Sequence, residues 1–223
     1  MKLSNETINV LKNFSTINSG LKFRQGNVLS TINQTKSILV EAKVAEEFPQ
    51  DFCVYDLPQF LGYVNMYTDG DITIDDTNVT FTSGRRNTKY RLTSENQIYV
   101  APQKSLTLPS VDVEFFLTEE DLAWLMKSAA LSQSPNIAVE SDGETMTLTT
   151  FDATDNSAHT NSCQVQDGNG QKYKLVFKTD NLKLIPGAYD VKISSKGISH
   201  FVSNKLDIQY WIAIESSASK FGE

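Results

Sequence analysis

Four carboxylates in the stretch DGDITIDD, Asp69, Asp71, Asp75 and Asp76, are the residues best suited to hold a divalent cation and, through it, to support phosphate-ester cleavage. Their spacing argues against a cage. Alternation places Asp69 and Asp71 at a turn and strand start and Asp75-Asp76 at the following turn, with no histidine nearby to complete a ligand set, so solvated turn acids are expected. His159 and His200 fall in separate strand-like segments, neither near a G-x-S-x-G nucleophile motif, and both read as surface or packing residues. Ser83-Gly84-Arg85-Arg86 and Asp167-Gly168-Asn169-Gly170 lack the lysine and following helix of a phosphate loop. Cys53 and Cys163 lie far apart without C-x-x-C spacing, as reduced structural thiols do. The expectation is a binding protein with no catalytic residues, no metal and no cofactor.

The element that must position any binding surface is the opening stretch MKLSNETINVLKNFSTINSG, an amphipathic helix by its spacing. Ser4 is its N-cap and Gly20 its stop, and Leu3, Ile8, Leu11, Phe14 and Ile17 form one apolar stripe. The other side collects Lys2, Asn5, Glu6, Asn9, Lys12, Asn13 and Thr16, where neutral amides stand in place of most of the acids that usually pair with lysines. Such a face suits a surface held near a polyanion without gripping it. An ordinary solvated face has the same composition.

Length and composition bound the rest. A chain of 223 residues with 39% hydrophobic content forms one large or two small domains with a real core. No apolar run reaches the length of a membrane span and the N-terminus lacks a secretory core, so a cytoplasmic protein with no membrane partner is expected. The net charge of −7 is segregated: residues 1–45 carry +4, 46–81 carry −8, 82–110 carry +4, 111–167 carry −10 and 168–223 carry +3. That distribution suits one basic face and an acidic exterior.

In order, the chain states one pattern twice. Short alternating segments near 20–24, 27–33, 38–45 and 51–56 read as strands, followed by a helix over 56–67 with Asp56 as cap, Pro58 in the first turn and Leu57, Phe60, Leu61 and Val64 as stripe. Four strands follow, near 71–75, 78–83, 88–92 and 96–100. APQKSLTLPS, 101–110, has two prolines and no periodic pattern and is the expected connector between a domain over 1–100 and another over 111–223. The second half opens with VDVEFFL as a strand and a helix over 118–131, with Thr118 and Asp121 in capping positions, Leu122, Leu125, Met126 and Ala129 inward and Glu120, Trp124, Lys127 and Leu131 outward. Strands near 136–140, 144–152 and 158–166, with hairpin chemistry at Asp142-Gly143 and at 167–170, lead to KYKLVFK, a short helix over 179–186, and strands near 188–194, 198–203 and 207–215.

MKLSNETINVLKNFSTINSG, VYDLPQFLG and DNLKLIPGAYDVKI resemble the DNA polymerase sliding clamps of T-even-type tailed bacteriophages, and the resemblance spans nearly the whole chain. It implies an α+β DNA-clamp fold of two similar domains, each with two helices packed on antiparallel sheets. Three subunits would close as a homotrimeric ring around duplex DNA. It further implies non-specific, topological DNA binding, tethering of the replicative DNA polymerase, opening by an ATP-dependent clamp loader, service in late transcription, and residence in the cytoplasm of the infected bacterial host. Lys2, Asn5, Asn9, Lys12, Lys127 and Lys183 are the matching DNA-facing positions, with Lys178 added, and Leu106, Leu108, Ile212 and Ile214 border the implied partner pocket. Ring closure would pair the strand near 96–100 with that near 158–166 of the next subunit. Residues 56–67 contain no base and Ala130 stands where a charge is expected, so the hole should be less positive than in relatives. The alternative from another class is a non-catalytic phage structural or assembly protein that shares the duplicated α+β layout.

Overall fold

Side chains that cap helix ends and glycines that turn hairpins set the element boundaries, and the computed structural model describes them for residues 1–104 and 106–222. Residue 105, in the expected connector, and residue 223 lie outside the described residues. Cα packing divides the chain into two units, Met1–Ser105 and Leu106–Glu223.

The first unit contains α1 (Asn5–Ile17), β1 (Leu21–Phe23), β2 (Gly26–Ile32), β3 (Ile38–Phe48), β4 (Phe52–Val54), α2 (Leu57–Met66), β5 (Asp71–Ile74), β6 (Asn78–Ser83) and β7 (Arg86–Arg91). All its pairings are antiparallel: β1 with β4, β2 with β3, and β5-β6-β7 in order. Helix α2 buries Leu57, Phe60, Leu61 and Val64, the stripe its periodicity predicts, and Asp56 accepts a hydrogen bond from Gln59 N at 2.8 Å. Phe60 joins the aromatic core, packing edge-on against Phe81 at 5.4 Å and Tyr90 at 5.5 Å, while Phe23 stacks on Phe52 at 4.4 Å. Truncating such a ring to alanine costs about 3–5 kcal/mol.

The second unit contains β8 (Val113–Leu117), α3 (Glu119–Ser132), β9 (Asn136–Asp142), β10 (Thr145–Phe151), β11 (Asn161–Asp167), β12 (Lys172–Lys178), β13 (Tyr189–Ser194), β14 (Ile198–Ser203), β15 (Ile208–Ala213) and β16 (Lys220–Phe221). Its strands run β11-β10-β9-β12-β16 in one layer and β8-β13-β14-β15 in the other. Between them Phe115, Leu117, Leu122, Leu125, Ile137, Leu148, Phe177 and Phe201 form the core.

Four local expectations give way to tertiary contacts. Residues 96–100 are not a strand: a 3₁₀ turn spans Glu95–Gln97, and the segment after it is fastened by side chains, with Asn18 Nδ2 donating to the Tyr99 carbonyl at 2.9 Å and an Arg24 guanidinium nitrogen to that of Ala101 at 2.6 Å. Residues 179–186 make only a 3₁₀ turn over Thr179–Asn181. The hydroxyls of two buried tyrosines hold the remainder of that segment: Tyr189 donates to the Ile185 carbonyl at 2.6 Å, and Ile185 N–H donates to Tyr210 at 3.2 Å. Burial pushes the Tyr210 phenol up to about 12, so it stays neutral in this role. The Asp167–Gly170 stretch is no hairpin, because β11 and β12 are separated by β10 and β9. It crosses over the β9–β10 turn, with Gly168 N donating to the Glu144 carbonyl at 2.7 Å and Gly170 N to that of Gly143 at 3.0 Å, and a Cβ at Gly168 would collide with the Gly143 carbonyl. Finally, α1 buries Thr7 and Val10 beside Leu11, Phe14 and Ile17, while Ile8 is only half-buried and Leu3 precedes the helix, which ends at Asn18 rather than Gly20.

Candidate nucleic-acid interface

Helix α1 starts at Ser4, whose Oγ accepts from Thr7 N at 3.2 Å. The third helical position is Thr7, so the acid that would complete a capping box is missing from the helix itself. Glu46, from β3, supplies it. One carboxylate oxygen accepts from Ser4 N–H and the other from the Thr7 hydroxyl. Burial pushes the Glu46 carboxyl up, but the hydrogen bonds from Thr7 and Ser4 outweigh it and hold the group below the usual carboxylate range. Just upstream, the Met1 amino group donates to the Ile72 carbonyl at 2.7 Å and Ile72 N–H returns a bond to Met1 at 2.9 Å. These ties fix the azimuth of α1, so Asn5, Glu6, Asn9, Lys12 and Thr16 are exposed and Asn13 is half-buried, with Lys2 exposed just upstream of the helix. Sequence reading missed Glu46, which stands 42 residues from Ser4. The signal available was the gap itself, an S-x-x-T start without its acid.

Helix α3 begins where Thr118 Oγ1 accepts from Asp121 N at 3.0 Å and donates to the Asp121 carboxylate at 2.6 Å. It ends at Gln133, whose left-handed φ of 51° lets Ser134 N–H close on the Ala129 carbonyl at 2.9 Å. Leu122, Leu125, Ser128 and Ala129 are buried, Met126 is half-buried, and Glu120, Trp124, Lys127 and Leu131 stand outward. Of the remaining expected DNA-facing lysines, Lys178 is exposed at the end of β12 with its ammonium 3.5 Å from Glu215, and Lys183 is half-buried in the segment held by the two tyrosines.

The four expected pocket residues divide. Leu106 is 41% exposed and Leu108 half-buried, whereas Ile212 and Ile214 are 0% and 5% exposed. Among the acids, Asp75 caps the β5–β6 turn, accepting from Thr77 N at 2.8 Å and Asn78 N at 2.7 Å, which hold its carboxyl below the ordinary range. No group of three or more histidine, cysteine, aspartate or glutamate side chains is arranged to hold a metal ion among the described residues. His200 stacks on Trp211 at 4.8 Å and hydrogen-bonds Gln209 at 2.9 Å, and burial lowers its pKa, so it acts as a neutral packing residue. His159 is exposed, Cys53 is buried and Cys163 is half-buried; burial pushes both thiols up. Among the described residues no helix is long and apolar enough to cross a membrane.

This geometry offers two exposed helix faces, on α1 and α3. A family model described as "DNA polymerase processivity factor" matches residues 3–100, and one described as "gp45 sliding clamp, C terminal" matches residues 114–216. The sliding clamp of Vibrio phage KVP40 is 32% identical over 223 residues, covering 97% of this chain and 100% of the relative. That of Escherichia phage RB69 is 29% identical, covering 98% and 99%. Among solved structures, PCNA from Thermococcus kodakaraensis superposes with a TM-score of 0.65 at 15% identity, covering 94% of this chain and 96% of that one. The H. pylori beta clamp gives a TM-score of 0.71 at 10% identity, covering 96% of this chain and 65% of that one. These two show the shared fold, and the phage relative aligned from end to end shows the kinship: the chain belongs to the sliding-clamp family of DNA polymerase processivity factors.

Proposed function

We propose that three copies of this chain close head-to-tail into a ring around duplex DNA and hold the replicative polymerase on it, with 1–100 and 111–223 as two clamp domains joined by 101–110. The observation that carries the reading is the outward face of α1. It is built of Asn5, Asn9 and Lys12, with exposed Lys2 just upstream, on a helix whose other face is locked into the unit by Glu46. Amides keep hydrated contact with phosphates without the ion-pair depth that would stall movement along DNA, and a closed ring needs no affinity to stay on. Lys127, Lys178 and Lys183 serve the same purpose from the second unit.

Strand β11 ends its sheet, and an uncovered edge invites aggregation, so we assign it to the contact with the segment after β7 of the next subunit. An ATP-driven loader opens the ring and performs the nucleotide hydrolysis. Hydrophobic client tails dock around Leu106 and Leu108, and late transcription uses the same tether. The setting is the cytoplasm of an infected bacterium. The test is topological: loaded protein should co-elute with a nicked circular plasmid, leave it on linearisation, and scatter light as a trimer. Equal retention on circle and linear duplex, or a monomer at working concentration, refutes the proposal.

A further inference from the structure

Leu106 and Leu108 belong to a stretch, Leu106 to Pro109, that makes no hydrogen bond among the described residues. Its nearest attachment is at Ser110 and Asp112. The Asp112 N–H donates to the Ile193 carbonyl at 2.9 Å, continuing the ladder between β8 and β13 just past Val113. The side chains then add bonds that a ladder does not need: Asp112 Oδ2 accepts from Ser195 N at 2.7 Å, from Ser195 Oγ at 2.8 Å and from Ser110 Oγ at 2.8 Å. Ser110 Oγ also lies 2.7 Å from Oγ of the buried Ser194.

Charge fixes the direction of the protons in this network. A carboxylate only accepts, so the Ser110 hydroxyl points its single hydrogen at Asp112, and the Ser194 hydroxyl must therefore donate to Ser110. Ser194 Oγ in turn accepts from Lys196 N at 3.3 Å. The result is a one-way relay from the β13–β14 turn to the connector, ending on a charge, an arrangement in which each bond strengthens the next. The Ser195 N–H foremost, with the hydroxyls of Ser110 and Ser195, holds the Asp112 carboxyl below its usual range, so the acceptor stays ionised. The turn has a second hold. Gly197, at a φ of 108°, accepts from Ile214 N at 3.1 Å, so residues 194–197 fix both the end of the connector and the end of β15.

We propose that Asp112 is the positioning residue of the client site: through Ser110, Ser194 and Ser195 it moors the connector to the β13–β14 turn, and so presents Leu106 and Leu108 to the hydrophobic tail of a client. This rests on the client-docking reading and deepens it. Leu108 and Leu106 stand about 7 and 13 Å of extended chain from Ser110, short enough for a fixed end to limit where both side chains go. Unmoored, the stretch samples many conformers, and a competent share of about a tenth lowers the apparent affinity about ten-fold.

The test titrates the replicative polymerase in primer extension, with the protein loaded on a primed circular template. Asp112→Ala should raise the half-saturating polymerase concentration about ten-fold, while the plateau at saturation and retention on the circle stay parental. Only Oδ2 takes these bonds, so Asp112→Asn can set its carbonyl oxygen there, keep all three donors, and bring half-saturation back to within about three-fold of the parent. A lowered plateau with unchanged half-saturation, or an asparagine variant as weak as the alanine one, overturns the inference. Should Asp112→Ala fail to fold, Ser110→Ala carries the test, because it cuts the connector's own hydroxyl from Asp112 and Ser194 while Ser195 still holds Asp112. About three-fold weaker half-saturation is expected there, and a parental value overturns the inference. Parental half-saturation in Asp112→Ala beside a weakened Leu106→Asp sinks the mooring and leaves the client reading standing. Parental behaviour in both sinks both.

Discussion

Replacing Glu46 with alanine removes both hydrogen bonds that tie the start of α1 to β3. Ser4 N–H then loses its acceptor. The Thr7 hydroxyl, on a residue that is 0% exposed, keeps only its 3.1 Å contact with Ser4 Oγ. Hydrogen bonds to a charged acceptor contribute about 1.5–3 kcal/mol each, and the half-buried position of Glu46 places these toward the low end, so a local loss of about 2–3 kcal/mol is expected. Glu46→Gln keeps one carbonyl acceptor and should lose about half of that. Hydrogen exchange followed by mass spectrometry is the assay, because a two-unit chain need not unfold in one step. The amides of residues 4–10 should exchange about 30-fold faster in the alanine variant, since 1.4 kcal/mol corresponds to a factor of ten, while β9–β12 stay unchanged. The lowered carboxyl also sets a pH dependence. Its contribution is complete above the unfolded carboxylate pKa of about 4.3 and disappears as pH falls through the lower folded value, so protection of α1 should fail in acid in the parent and lose that dependence in Glu46→Gln. Exchange of α1 in the alanine variant within about two-fold of the parent would refute the capping argument.

Lys12→Gln with Lys127→Gln should leave the melting temperature unchanged, exposed lysines contributing within about 0.5 kcal/mol each, while loading onto circular DNA weakens and its salt dependence becomes shallower, fewer counterions being released; Lys220→Gln serves as control, and parental loading at every salt concentration would remove these lysines from the interface. Leu106→Asp, at an exposed position, should preserve assembly and lower polymerase stimulation, read in a primer-extension assay on a long template; undiminished stimulation would move the client pocket elsewhere. Gly168→Ala should destabilise the second unit by about 1–3 kcal/mol in thermal melts, because its Cβ is driven into the Gly143 carbonyl, and a melt within a degree or so of the parent would mean that the crossover loop yields freely.

The amino-acid sequence by itself determined those elements whose signals are local. The 3.6-residue period of Leu57, Phe60, Leu61 and Val64 and the Asp56 cap specify α2, Thr118 specifies the start of α3, and strict segments such as Lys172–Lys178 and Ile198–Ser203 are strands at the residues where alternation places them. Kinship was legible too, because the motifs at 1–20 and 54–62 are continuous in sequence. The lysines at 12 and 127 could be placed outward for the same reason: each opposes a periodic apolar stripe.

Tertiary structure alone decided the rest, wherever a side chain from a distant segment satisfies a backbone group. Glu46 turns α1 so that Thr7 and Val10 go inward and Ile8 only half-way; no window around residues 4–17 contains that carboxylate. Asn18 and Arg24 take carbonyls at Tyr99 and Ala101, 81 and 77 residues away, and hold as an irregular strap a segment whose composition reads as strand. Tyr189 and Tyr210 occupy both polar backbone groups of Ile185, and the expected helix there shrinks to one 3₁₀ turn. Period and propensity report what a segment prefers when its hydrogen bonds are made locally. At these positions the bonds are made at long range, and a buried backbone group left unpaired costs more than a local preference is worth.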